Sequence, residues 1–391
     1  MKSYILMPIF LVGFLYCTRE PVDKTIRPLQ TSSSSFTAKV SHSVVLSPID
    51  GVALDWIYMF ELHADRFYLF DLRGKFVLIY NKNGTFVNKV NSGNGLGELL
   101  HPQGFSFAKD TLIVSEANAL KYYSLSGKFL EEKKLPKGLF ASCVTPLPNG
   151  NWLTYGMSPD ISKEIQEDYL TNQFYYFHML DPTLSKEILP LVPLSMECGG
   201  METGKAFHFY KDHYLLSEGV GNHLVVFDGK RVTGTYTIDF EEFTFRDEEL
   251  RNNKIDFTDL IFKGERYGLI DMVNETRNLL TLRYLRKGKE KPPQWSNFKI
   301  EGAFTPTIKV TVLYSKRTGK TADFSEVLKS SGIPEMALMN TTGNEFLCLF
   351  EPSDFSEEKI QDFKNQGLIS NTVTNKSFPI VFFIKITENK D

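Results

Sequence analysis

The chain has 391 residues, 42% of them hydrophobic, which is ample apolar mass for a large core. Its formal net charge is −3, with lysine and arginine scattered along the sequence, so it lacks the basic footprint that nucleic-acid binding requires. The 32 phenylalanines and 17 tyrosines favour strands, where flat rings pack on a pleated, half-buried surface.

Lys2 is followed by an almost wholly apolar run, Tyr4–Tyr16, and then by Cys17. A cationic start and a short apolar core read as an export signal. The run is too short to span a bilayer, which takes about 20 residues. The arrangement resembles a bacterial lipoprotein signal, in which such a cysteine becomes the lipidated first residue of the mature chain. Tyr16 stands where a small residue is usual. The expected organisation is a signal over 1–16, a flexible tether over 17–35 with Cys17 as lipid anchor, and one domain over 36–391. The polar stretch Thr31–Ser35 cannot bury enough surface to order itself and would hold the domain off the membrane.

Strands begin at Phe36–Leu46, which alternates apolar and polar residues, and continue with an apolar run over 52–60 that contains Trp56. Phe67–Asp71 and Phe76–Tyr80 follow, joined by a turn in which Gly74 would supply a positive φ. Asn81–Gly84 is a second turn and Thr85–Val90 a last strand. Together these make four antiparallel strands with tight connections. Val77–Val87 then recurs as Leu120–Leu130, with Gly84 and Gly127 standing 43 residues apart. A β-rich repeat of that period signals a propeller blade, a four-stranded unit of roughly 40–50 residues.

Between the two copies lies a glycine-rich crossing with Gly93, Gly95, Gly97, Glu98, Pro102 and Gly104. A phosphate-loop reading fails, because no Lys-Ser/Thr follows, no helix opens after it, and Pro102 begins a strand entry. The pattern Gly93-x-Gly95-x-Gly97-Glu98, then Pro102-x-Gly104, Thr111–Val114, Leu120–Tyr123 and Gly127–Phe129, resembles an NHL repeat. The layout from about residue 36 to the end is similar to the six-bladed β-propeller lipoproteins of Bacteroidetes, including their TolB-like, uncharacterised members. The resemblance implies an all-β, six-bladed propeller of four-stranded antiparallel blades and an envelope location. It implies no activity. Gly84, Gly93, Gly95, Gly97, Glu98, Pro102 and Gly127 are then structural positions of the repeat.

The later blades are degenerate. Leu139–Thr145, Asn151–Met157, Phe174–Asp181 and Glu187–Leu194 make a third, interrupted by a short helical excursion over 158–171. Ala206–Tyr210, Tyr214–Glu218, His223–Asp228 and Val232–Phe240 make a fourth, followed by a charged, helix-prone linker over 241–256. A fifth uses Tyr267–Val273, Asn278–Leu285, Phe298–Ile300 and Ile308–Ser315, with a turn at Thr318–Lys320 and an outer strand at Ala322–Phe324. The sixth has Ala337–Asn340, Glu345–Phe350 and Phe378–Ile386, with a helix over Ser356–Phe363 capped by Ser356. It lacks one strand, while Phe36–Leu46 is one too many. Open edges expose unpaired backbone groups. Phe36–Leu46 is therefore expected to pair with Phe378–Ile386 and close the ring.

No catalytic set is evident. The seven histidines form no H-x-x-x-H or H-E-x-x-H pair; His208 and His213 lie five apart across an expected hairpin, so no metal site is read. Cys143, Cys198 and Cys348 are odd in number and far apart; they read as small buried hydrophobes. There is no G-x-S-x-G elbow. Asp50, Glu61, Asp71, Glu116, Glu218 and Asp271 lie near expected strand ends. A funnel ringed with such carboxylates could hold Ca²⁺ or do acid–base work; the plainer reading is solvated strand ends. Phe174–Phe177 and Phe207–Tyr210 read as rings that pack one blade on the next rather than as sugar-stacking platforms. The best reading is an exported, lipid-anchored module, without a cofactor, that binds a protein, peptide or glycan in the cell envelope. The alternative is an envelope enzyme of lyase or lactone-hydrolase type using channel carboxylates, with or without Ca²⁺.

Overall fold

The structure, a computed structural model, describes residues 22–389 apart from 136–142, 156–176, 191–206, 218–221, 250–259, 289–306 and positions 53, 55, 117, 185–186, 247–248 and 262. The expected signal, Cys17, Cys198, Glu218, the 158–171 helix and the strand Phe298–Ile300 lie outside the described residues.

Two strands, β1 (Val22–Ile26) and β2 (Phe36–Val45), precede the first complete blade. That blade is β3 (Ile57–His63), β4 (Arg66–Asp71), β5 (Phe76–Asn81) and β6 (Phe86–Val90). The second is β7 (Pro102–Ala108), β8 (Thr111–Glu116), β9 (Ala119–Ser124) and β10 (Phe129–Lys134). The third is β11 (Cys143–Pro146), β12 (Trp152–Tyr155), β13 (Phe177–Leu180) and β14 (Glu187–Pro190). The fourth is β15 (Phe207–Tyr210), β16 (His213–Ser217), β17 (His223–Phe227) and β18 (Val232–Ile238). The fifth is β19 (Gly268–Glu275), β20 (Leu279–Lys287), β21 (Thr307–Ser315) and β22 (Thr321–Asp323), followed by helix α1 (Phe324–Ser330). The sixth is β23 (Ala337–Thr342), β24 (Glu345–Phe350) and β25 (Ile380–Glu388), with helix α2 (Glu357–Asn365) between the last two. Its fourth strand is β2, antiparallel to β25 from Phe36 opposite Glu388 to Val45 opposite Ile380. The molecule is an all-β, six-bladed propeller, and β2 meets the last strand, β25, where the surplus and the missing strand predicted it.

Each blade is buried on both faces, which is why its strands read as continuous apolar runs. In β4, Phe67 and Leu69 pack toward blade 6, against Leu347, Leu349 and Phe383. Tyr68 and Phe70 point the other way, toward Phe105, Leu112 and Val114 of blade 2. Alternate side chains of a strand face opposite sides of the sheet, so one short strand serves two interfaces. Six such clusters join blades 6 and 1, 1 and 2, 2 and 3, 3 and 4, 4 and 5, and 5 and 6. That sequence of interfaces closes a circle. Burying each large apolar side chain contributes about 1.5–3 kcal/mol.

Turn chemistry sets the hairpins. Ala64 and Asp65, at φ 46° and 58°, close the first in two residues, the twist that matches paired strands. Gly74 plays a different part from the one expected. The left-handed residue of that turn is Lys75, at φ 55°. Gly74 instead leaves room for the ring of Phe76, which a Cβ would meet at 2.2 Å, and donates its N–H to Asp71 Oδ1 at 2.6 Å. At Gly84 (φ 87°) and Gly127 (φ 81°) both needs coincide. These equivalent turns press onto the neighbouring blade, Gly84 against the Val45 carbonyl and Gly127 against Ile79.

The segment read as a tether differs most from expectation. From Val22 on it belongs to the rim. β1 adds a fifth, parallel strand to blade 4, Thr31 bridges Thr321 of blade 5, and Ser33–Ser35 forms a 3₁₀ turn leading into β2. Composition missed this because the order comes from elsewhere. The open edge of β18 supplies the backbone partners, and Ile26 is fully buried among Leu215, Leu224 and Tyr236.

Candidate functional site

The two faces of the ring are unequal. One carries the turns that join first to second and third to fourth strands. Those turns are short, from 64–65 in blade 1 to 181–186 in blade 3. The other carries the connections between second and third strands and the crossings between blades. At that end lie the crossing 91–101 and the connection 351–379, together with the strand ends that bound 156–176, 191–206, 239–267 and 288–306. Every long connection after the N-terminal strand therefore departs from and returns to one face. Loops set on a rigid scaffold are where binding residues concentrate.

The crossing from blade 1 to blade 2 shows how this face is built. Gly93 and Gly97 adopt φ 152° and 77°. Glu98 Oε2 accepts the N–H of Gly95 at 2.8 Å, and a Cβ on Gly93 would strike that carboxylate. Gly97 leaves room for Phe129, and its carbonyl accepts the Tyr123 hydroxyl at 3.1 Å. Pro102 then starts β7. Leu96 is left 89% exposed at the tip, with Leu100 half exposed beside the strand entry.

The carboxylates singled out in the sequence divide sharply. Asp50 is exposed and Glu61 half-buried. Asp71, at the end of β4, is buried and accepts the N–H groups of Trp56 (3.2 Å) and Gly74 (2.6 Å). Glu116, at the equivalent end of β8, accepts those of Leu100 (2.6 Å) and His101 (3.1 Å) and pairs with Lys121 at 2.8 Å. In both blades a buried acid at the end of the second strand pins the incoming crossing. Asp271 is clamped by Arg283 at 2.6 and 2.9 Å and by Lys309 at 3.0 Å. Burial opposes its charge, but these two cations prevail and hold its pKa down at about 2. These three acids carry structural duties, and their side chains are spoken for. Among the described residues, no group of three or more His, Cys, Asp or Glu side chains could hold a metal ion.

His208 and His213 do not converge on a ligand. His208 is buried, whereas His213 Nε2 lies 2.8 Å from Glu275 Oε2, and Glu275 Oε1 pairs with Lys316 at 2.7 Å. Phe207 packs on Phe177 of the neighbouring blade, while Phe209 stays half exposed. Cys348 is fully buried and its thiol is pushed far above its ordinary pKa by burial; Cys143 is half-buried.

One acid on the elaborated face was not foreseen. Glu351 follows β24 at the mouth of the 351–379 connection. Burial, reinforced by the negative charges of Asp354 and Asp71, pushes its carboxyl up to about 7. Asp71 ties this group to Trp56, whose ring is 41% exposed and stands edge-on to Tyr58 at 6.3 Å. The seam of blades 6 and 1 thus combines an exposed aromatic surface, a fixed acceptor and a carboxyl whose pKa burial raises to about 7. Glu351 carries no motif. Its environment is assembled from three connections, so no local pattern could have marked it.

Two solved structures share this architecture. A Bacteroides fragilis protein described as a putative exported protein superposes with a TM-score of 0.68 at 16% identity, over 94% of this chain and 99% of its own. A DUF4221-family member from Bacteroides vulgatus gives 0.55 at 11% identity, over 92% and 100%. A search of the curated proteins finds no match. At such identities the likeness is one of fold. The family model described as a 6-bladed beta-propeller, DUF5128, matches residues 31–293, and the chain belongs to that family.

Proposed function

We propose that the protein is an exported binding or scaffolding module, lipid-anchored through Cys17 in the bacterial cell envelope, which engages a protein, peptide or glycan through its elaborated face. The observation that carries this reading is the asymmetry of the ring, in which the strand ends that bound the long connections lie on one side. Trp56, Leu96 and Leu100 give that side exposed apolar contact surface, the kind of side chain that anchors interfaces. The export and anchor elements rest on the apolar run Tyr4–Tyr16 and on Cys17. The likeness to an exported Bacteroides protein supports export. Catalysis by channel carboxylates has less behind it, since Asp71, Glu116 and Asp271 are occupied in holding the fold. Among the described residues on that face, Glu351 has a protonation that suits acid–base work.

The test is affinity capture from native envelopes with the N-terminal anchor intact. Trp56→Ala combined with Leu96→Asp and Leu100→Asp should abolish co-purification of the partner. Asn83→Asp and Asp110→Asn, on the short-turn face, should leave it unchanged. Capture that is indifferent to the first set, or equally sensitive to the second, overturns the reading.

A further inference from the structure

The short-turn face has its own chemistry at blade 4. β1 runs parallel to β18 with Val22 opposite Gly234, so the chain joins the ring at the end where the Asp228–Arg231 turn lies. Lys230 and Arg231 are exposed on that turn, and Lys211 is exposed on the neighbouring turn of the same blade. Among the described residues none of the three is held in an ion pair. Two exposed acids, Asp228 and Asp212, share these turns, so the three basic side chains leave the corner with one net positive charge. Asp228 Oδ1 accepts the N–H groups of Lys230 (2.8 Å) and Arg231 (2.9 Å), and Asp212 lies 3.3 Å from His213. Two large apolar side chains, Phe209 and Val232, are each 48% exposed at this end of the blade.

Only residues 18–21 separate Cys17 from Val22. Fully extended, the stretch from Cys17 to Val22 spans at most about 18 Å. An acyl chain on Cys17 would therefore hold this corner of the ring at the bilayer surface. The polar stretch Thr31–Ser35 cannot act as a spacer, because it lies beyond the point at which the chain docks.

We propose that this corner, formed by Lys211, Lys230, Arg231, Phe209 and Val232, is a membrane-contact surface for anionic lipid. The proposal rests on the reading of Cys17 as the anchor. The basic side chains meet lipid phosphates and the two apolar ones enter the headgroup boundary. A leash of a few residues keeps the surface at high effective concentration, so weak contacts suffice to orient the ring. The elaborated face then points away from the bilayer, toward partners.

The chain from residue 18, with a hexahistidine tag in place of the signal and Cys17, can be held on phosphatidylethanolamine–phosphatidylglycerol vesicles containing a nickel-chelating lipid. Backbone hydrogen exchange is followed at 209–213 and 228–233, with 72–75 and 93–100 as reporters of the opposite face. Exchange in the first pair should slow at least about fivefold on vesicles relative to solution, and remain unchanged in the second. The double variant Lys230→Glu/Arg231→Glu, or phosphatidylcholine in place of the anionic lipid, should remove the slowing. Slowing confined to 72–75 and 93–100, equal on both faces, or absent from both overturns the proposal. The mass of the N-terminal peptide from the native envelope judges the anchor separately. An unacylated Cys17 sinks the anchor reading, while the tagged chain still decides whether the surface binds lipid.

Discussion

Phe36 pairs with Glu388, the first residue of β2 against the last of β25, and this pairing seals the ring. The seam is tied further where Thr37 Oγ1 donates to Asn389 Oδ1 at 2.8 Å and Ser315 Oγ donates to Glu388 at 2.8 Å. Removing residues 378–391 should strip β2 of its partner and expose the inner faces of blades 6 and 1. Urea unfolding should then lose its single steep transition. A truncated chain that unfolds as sharply as the full one would refute the closure.

Gly84 and Gly319 separate backbone strain from collision. Both are left-handed, at φ 87° and 76°. A Cβ on Gly84 would sit 2.1 Å from the Val45 carbonyl oxygen, whereas one on Gly319 meets nothing within 4 Å. Gly319→Ala should cost about 1 kcal/mol, the strain alone. Gly84→Ala should exceed that by at least about 1 kcal/mol, because two blades must part. Equal losses in chemical denaturation would show that the turn does not hold the neighbouring blade.

Asp271→Asn should destabilise the fold by roughly 3 kcal/mol at neutral pH. It leaves the part-buried Arg283 and the more open Lys309 without their shared counter-charge. The carboxyl is depressed to about 2 in the folded protein. Its contribution is therefore complete above the ordinary aspartate pKa and is lost as pH falls toward 2. The stability gap between wild type and variant, measured by denaturation across that range, should narrow on acidification. A gap that stays constant would contradict the ion cluster.

Glu351 works in the opposite direction. Its folded pKa of about 7 lies above the ordinary carboxyl value. The fold favours the neutral acid, so stability is lost as pH rises from about 4.5 through 7, with a plateau cost of roughly 3 kcal/mol. Glu351→Gln should raise the melting temperature at pH 8.5 and leave it nearly unchanged at pH 5. Identical melting of the two proteins at pH 8.5 would dismiss the burial argument.

His213 gives a third pH signature. Burial lowers its affinity for a proton, but the hydrogen bond and charge of Glu275, aided by Asp212, outweigh burial and raise its pKa. The stabilisation is present below the ordinary histidine pKa and fades as pH rises through the raised value. His213→Gln should remove that slope from the melting curve. Unaltered pH dependence in the variant would mean the Glu275 contact is idle.

Much of the ring is legible in the residues. Gly84 and Gly127 mark equivalent turns because a left-handed backbone against a neighbouring sheet admits little else, and that need repeats with the blade. Ser356 announces the start of α2, where its side chain accepts the Lys359 N–H at 3.3 Å. The fifth blade was harder to read. Its outer strand is three residues long, Thr321–Asp323, too short for alternation to register. The carboxylates were harder still. Asp71 and Glu116 look like any acid at a strand end until the crossing that each pins is folded over it.

Local order was thus written in the sequence: alternating apolar residues, turn glycines, a repeat of fixed period, and a strand missing at one end and spare at the other. These depend on neighbours along the chain, and so does the propeller they imply. The tertiary structure alone decided which face gathers the long connections, that the polar lead from Val22 docks on the rim, and that Glu351 shares a seam with Asp71 and Trp56. Those relations join residues hundreds of positions apart. Their energetics come from burial and charge in three dimensions, which no linear pattern encodes.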